Sequence, residues 1–89
     1  MTEIRTFELK NKLGLHARAA AKLVSAARGF KSKIVLERDG REVNGKSLLG
    51  ILTLACPQGS RVTVRAEGAD ALQAIESLEG LFEDKFGES

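Results

Sequence analysis

The 89-residue sequence has no Trp and no Tyr, and only one Cys, one Pro and one His. One cysteine, Cys56, excludes an internal disulfide, and with a single histidine no His/Cys metal cluster can be assembled; no metal and no cofactor is expected. Cys56 reads as a small apolar residue near the end of a helix or in the loop after it, rather than as a reactive thiol. Four Phe are the only aromatic residues, too few for the stacking platforms on which single-stranded nucleic acid usually lies. No apolar run approaches membrane-spanning length, and the opening "MTEIRTFELK" lacks a signal-peptide core. A cytoplasmic protein that does not insert into membranes is the expectation. Repeats, linkers and biased segments are also missing, so residues 1–89 are expected to form one domain with a modest core.

What is present is ordinary in amount and uneven in placement. Hydrophobic residues make up 43% and charged residues 29%, with a net charge of +2. Residues 1–46 carry a net +6 and residues 47–89 a net −4. A basic N-terminal half suits an acidic partner or a phosphate, although solvated charged faces account for the charge equally well.

Hydrophobic periodicity predicts the elements. Glu3 to Lys10 reads as a strand with Arg5, Phe7 and Leu9 on one face. Ala17 to about Arg28 is helical, with Ala20, Leu23, Val24 and Ala27 in register and Gly29 as the stop. Lys31 to Glu37 is a second strand, and Asp39-Gly40 a two-residue hairpin turn into a short third strand, Arg41 to Val43. "SLLGILTLA" fits a helix of about two turns, with strand as the competitor. Arg61 to Glu67 alternates cleanly as a half-buried strand. The last helix runs from Ala71 to about Phe86, with Asp70 and Gln73 as a capping box and Leu72, Ile75, Leu78, Leu81 and Phe82 as its buried stripe. This order predicts an α+β fold: a four-stranded antiparallel sheet covered on one face by three helices.

The start of the first helix is unusual. It reads His16-Ala17-Arg18-Ala19-Ala20, with an arginine and no acid in the first turn. Arg18 there is unfavourable by about 0.3–1 kcal/mol against the helix dipole. The placement makes sense if an anion arrives from outside, to be met by first-turn N–H groups and a guanidinium. His16 is the side chain able to be both neutral and nucleophilic near pH 7, so it is the candidate acceptor of a phosphoryl group. The alternative is an imidazole that merely caps the helix beside a solvated arginine.

"GLHARAA" resembles the active-site segment of the HPr family, the histidine-containing phosphocarriers of the phosphoenolpyruvate-dependent sugar phosphotransferase system. "GKSLLGILTLACPQGSRVTVRAEGADALQAI" resembles the same family's later signature around its regulatory serine, and the resemblance spans essentially the whole chain. It implies an open-faced β-sandwich. It also implies that His16 accepts phosphate on Nδ1 from phosphorylated enzyme I and passes it to a sugar-specific or nitrogen-type downstream component. Arg18 would neutralise that phosphate, and Ser47 would be the site of a serine kinase. The family's usual proline after the arginine is replaced by Ala19, which adds an N–H donor and points toward a divergent regulatory paralogue that works by phosphorylation-dependent binding.

Leu48, Leu49, Ile51 and Leu52 are too many apolar residues for one face of a two-turn helix. Leu48, Leu49 and Leu52, with Lys22 and Lys46 nearby, are expected to form a docking patch for an acidic partner, at least one of the four apolar residues going to the core. Ser47 is expected to cap this helix, and phosphate there would put about −1.5 to −2 charges into the patch. A monomer is expected. A small nucleic-acid- or ligand-binding domain of similar element order would want aromatic strand faces or a glycine-rich loop, and the sequence has neither.

Overall fold

In the computed structural model, which describes residues 1–88, the strand with the cleanest alternation lies inside the sheet. The strands are β1 (Thr2–Glu8), β2 (Lys33–Arg38), β3 (Arg41–Asn44) and β4 (Arg61–Glu67), and the helices α1 (Ala17–Arg28), α2 (Leu48–Thr53) and α3 (Ala71–Glu83). Sheet order is β1-β4-β2-β3, every pair antiparallel. Phe7 faces Val62 across β1–β4, and Leu36 faces Val64 across β2–β4. Alternate β4 residues Val62, Val64 and Ala66 are fully buried under the helices. The other face carries polar cross-strand pairs, Thr6 with Thr63 at 2.8 Å and Arg65 with Glu42 at 3.2 Å. This is the open-faced α+β sandwich.

The Asp39-Gly40 turn forms as expected, both residues left-handed (φ 52° and 83°), the geometry a two-residue hairpin requires. Arg5, on the helix side with Phe7, donates to Glu79 of α3 at 2.6 Å. Phe7 stacks on Phe82 with centroids 4.8 Å apart, and Phe82 meets Phe86 edge-on at 5.1 Å.

Several expectations are corrected. Asp70 does not cap α3 through its side chain. Its carboxylate reaches back to accept from Lys31 N–H (2.8 Å), Ser32 N–H (2.9 Å) and the Ser32 hydroxyl (2.5 Å). Those bonds tie up Lys31 and Ser32, so β2 begins only at Lys33. β3 runs one residue further than expected, to Asn44. α1 does stop at Gly29 as expected, but that residue is right-handed (φ −72°) and the helix ends by tightening, with Gly29 N–H on Ala26 C=O. β1 covers Thr2–Glu8 rather than Glu3–Lys10, although Leu9 stays buried and pairs with Ser60 and Gly59 beyond the ladder. In α3, Leu72 is exposed, and Ala71 and Ala74 take its place beside Ile75, Leu78 and Phe82, with Leu81 half-buried. α3 stops at Glu83, because Lys85 and Phe86 turn left-handed (φ 53° and 55°) and swing the Phe86 ring into the core.

Candidate functional site

The loop before α1 is pinned to the segment after α2. Gly14 is left-handed (φ +65°), and a Cβ there would lie 2.3 Å from Cys56 O. Leu15 N–H then donates to that same carbonyl at 2.9 Å. This bond sets the angle at which the chain reaches His16, the N-cap residue of α1. Among the described residues Cys56 is the free thiol; it is buried in the loop after α2, where burial pushes it up against the opposing pull of Arg38.

The His16 side chain is 27% exposed. Its Nδ1 accepts from Arg18 N–H at 3.3 Å, one of the first-turn donors that the helix cannot satisfy internally. Its Nε2 contacts the Glu88 carboxylate. With Arg18 N–H donating to Nδ1 and the Glu88 carboxylate accepting at Nε2, a neutral His16 carries its proton on Nε2. The first turn has no acid, so the amides and the exposed Arg18 present positive potential where Nδ1 points. Lys12, Leu13, Arg18, Gly87 and Glu88 line an open cavity of about 560 Å³ beside the ring. Ala19 is fully buried, its small side chain part of the core under the helix start.

Asn11 and Glu88 were not singled out by the sequence reading. The amide nitrogen of buried Asn11 donates to Gly14 C=O (2.7 Å) and to Glu88 Oε1 (2.8 Å). The Asn11 bond leads in holding the Glu88 carboxyl below the usual carboxylate range, with His16 and Lys22 adding to it against the opposing effect of burial. A lone Asn in a loop and a Glu 72 residues from the histidine give no pattern by which a sequence could join them.

Ser47 is the N-cap of α2, its hydroxyl accepting from Gly50 N–H at 3.1 Å. Ile51 is the core residue of the α2 apolar set. Leu48, Leu49 and Leu52 are 40%, 75% and 36% exposed. Leu48 lies beside Ala21, Val24, Ser25 and Arg28 of α1, so α2 runs alongside the helix that His16 caps. Lys22 and Lys46 are less free than the patch reading supposed: Lys22 Nζ donates to Phe86 C=O and Lys46 Nζ to Phe30 C=O, each at 2.7 Å. Among the described residues no group of three His, Cys, Asp or Glu could hold a metal.

The imidazole stays reachable at the start of α1, and the sheet is bare on its other face. The family model described as "PTS HPr component phosphorylation site" matches residues 4–84. Phosphocarrier protein HPr of Xylella fastidiosa (strain Temecula1) is 50% identical over 78 residues, 88% of each chain. The crystal structure of HPr-C-His from Thermoanaerobacter tengcongensis superposes with a TM-score of 0.95 at 48% identity, covering 98% of both chains. Crh of Bacillus subtilis, crystallised as a swapped dimer, is 41% identical with a TM-score of 0.75, over 88% of this chain and 90% of that one. The chain belongs to the HPr family of the phosphotransferase system.

Proposed function

We propose that this protein is a phosphocarrier that takes a phosphoryl group on His16 Nδ1 from phosphorylated enzyme I and hands it to a downstream component. The observation that carries the reading is the N-cap geometry: Nδ1 lies 3.3 Å from Arg18 N–H on a ring that is part exposed. The donor docks on Leu48, Leu49 and Leu52, and Lys22 and Lys46 contribute their remaining ammonium N–H groups. The Nδ1 lone pair attacks phosphorus in line. The N–P bond forms as the donor's bond to phosphorus breaks, and the donor atom keeps the electron pair. Arg18 and the first-turn N–H groups take up charge on the three transferring oxygens, since positioning and electrostatics dominate such transfers. Handing on the group reverses these steps, and the chain is a co-substrate of its partners within the cytoplasm.

The test is incubation with enzyme I and labelled phosphoenolpyruvate. Acid-labile, base-stable label that disappears in His16→Ala is expected; an unlabelled wild type overturns the reading. Ala19 and the likeness to Crh favour a second reading, a regulator that acts by phosphorylation-dependent binding, with Ser47 as its kinase site. It is favoured if label reaches His16 but no sugar-specific acceptor removes it. Sedimentation at micromolar concentration checks the expected monomer against a Crh-like dimer.

A further inference from the structure

The hairpin closed by Asp39 and Gly40 carries a charge arrangement that the sheet does not explain. Arg38 of β2 and Arg41 of β3 stand directly opposite each other across the ladder, and like charges so placed repel. Both guanidinium groups reach the end of α2. Arg38 Nη1 is shared between Leu54 C=O at 3.4 Å and Ala55 C=O at 3.3 Å, and Arg41 Nη1 donates to Thr53 C=O at 3.1 Å. Helix α2 has six residues and no basic side chain in its last turn, and so short a helix does not persist by itself. Its last carbonyls form the negative end of the helix dipole, and the two arginines bring from another element the cations that α2 lacks. Ala55, the residue after the C-cap Leu54, is left-handed (φ 50°), at a position that glycine usually fills. Its N–H closes on Leu52 C=O at 3.2 Å. The arginine pair thus grips the turn in which an alanine holds an unfavourable backbone conformation.

We propose that Arg38 and Arg41 are positioning residues for phosphoryl transfer to His16: together they hold the Thr53–Ala55 turn, and the Cys56 carbonyl beyond it fixes the loop that presents the ring. The inference rests on the phosphocarrier reading. The route is short. Cys56 follows the left-handed Ala55 directly, and its C=O accepts from Leu15 N–H at 2.9 Å. The same carbonyl leaves no room for a side chain on Gly14. Gly14 and Leu15 lead straight into His16, the N-cap of α1. When the turn at Ala55 relaxes toward the right-handed region, the Cys56 peptide rotates and the Leu15 bond is lost. Nδ1 then no longer meets the donor's phosphorus at a fixed angle, and an in-line attack tolerates little displacement. The arginines act through this turn and not on the reacting atoms. The docking leucines depend less on the grip, because Ile51 anchors α2 in the core and Ser47 caps its other end. Loss of the arginines therefore slows the chemical step more than it weakens docking.

Arg38→Ala, Arg41→Ala and the pair together are compared with wild type in the full chain. Gly40→Ala strains the same hairpin without touching either guanidinium, since nothing lies within 4 Å of its new Cβ, and so reports what destabilisation alone does. Hydrogen exchange read by ¹⁵N–¹H NMR is the first arm. Relative to the amides of β4, Leu15 N–H is expected to exchange about 10-fold faster in the pair variant and to keep its wild-type ratio in Gly40→Ala. Transfer from phosphorylated enzyme I is the second arm. The maximal rate of His16 labelling is expected to fall about 10-fold in the pair variant, with the half-saturating enzyme I concentration within about twofold of wild type. Ala55→Gly added to the pair variant should restore most of that rate, because glycine takes the left-handed turn unaided; no recovery overturns the inference. A Leu15 ratio unmoved in every arginine variant, or moved as far by Gly40→Ala, overturns it too, and the carrier reading stands. If the pair variant does not fold, the single variants carry both measurements, with smaller shifts in the same direction. Failure of enzyme I to label wild type, with the Leu15 shift present, removes the carrier reading but not the arginine grip on this turn.

Discussion

Replacing Gly14 by alanine tests how the loop before α1 is fixed. The residue is left-handed at φ +65°, and the added Cβ would sit 2.3 Å from Cys56 O and 2.9 Å from Pro57 Cα. Both obstacles are backbone, so no side chain can rotate away. The left-handed conformation alone costs a residue with a Cβ about 1–2 kcal/mol. Moving the Cys56–Pro57 strip adds an overpacking cost of about 1–3 kcal/mol. Displacing that strip also gives up the 2.9 Å bond from Leu15 N–H to Cys56 O, a net loss of about 1 kcal/mol. Together these come to about 3–6 kcal/mol, which for a domain of this size lowers Tm by about 12 °C or more. Gly40→Ala is the control, because it shares a positive φ of +83° with nothing within 4 Å of the new Cβ. It should lose only the conformational part, about 1–2 kcal/mol. Thermal unfolding by circular dichroism measures both. If Gly14→Ala falls no further than Gly40→Ala, the clash with the Cys56 segment does not govern this loop. The rate of His16 labelling by enzyme I should fall with the loss of the Leu15 bond, since the histidine is the next residue along.

Arg18→Ala should raise Tm by about 1–8 °C, because it removes an exposed cation from the positive end of the α1 dipole, and slow labelling of His16 about 10- to 100-fold. That is less than the loss typical of a buried oxyanion donor, and stopped-flow phosphoryl transfer measures it. Ser47→Ala removes the cap bond to Gly50 N–H and should cost about 1 kcal/mol in urea unfolding. Ser47→Asp restores a cap acceptor, so it should keep the fold while slowing transfer from enzyme I through its charge; equal transfer rates for Asp and wild type would remove Ser47 as a switch. The Ser32 hydroxyl, followed by the Lys31 N–H, holds the Asp70 carboxyl below its ordinary range. The stabilisation is therefore full above the unfolded-state value of about 3.9 and is lost as pH falls through the lower folded value. Asp70→Asn should flatten that acid-side fall in urea midpoints measured from pH 6 to pH 2.

Where the sequence was legible, one short-range rule sufficed. The β4 alternation of Val62, Val64 and Ala66, the Asp39-Gly40 turn and the Ala-rich face of α1 depend on neighbours within a few residues, and the structure keeps them. The missing acid at the start of α1 was likewise visible, and it leads directly to His16 and Arg18. Errors came where a side chain answered a distant part of the chain. Asp70 looks like a cap because caps are local, yet Ser32 and Lys31 compete for it from 38 and 39 residues away. Phe86 continues the apolar pattern of α3, yet the cavity beside Phe82 takes its ring only if the helix stops. Asn11 and Glu88 meet His16 through two loop conformations and a buried amide, none of which leaves a periodic trace. The patch leucines were read from crowding on a two-turn helix, and the exposure of Leu48, Leu49 and Leu52 follows that logic, with Ile51 as the one taken inward.

The sheet order bears on when the chain can fold during its synthesis. Among the described residues β1 pairs with β4 alone, and β2 has β4 on one side. A ribosome that has released residues 1–60 has therefore made an unpaired β1, the β2–β3 hairpin, and α1 and α2, which can rest on each other and on β3 but not on the central strand. The strand that joins the two halves arrives late, and α3, which covers β1 and β4, comes later still. Such long-range pairing slows folding and leaves strand edges exposed in the interim. Truncations before residue 67 should thus be held by chaperones rather than accumulate as a stable partial domain.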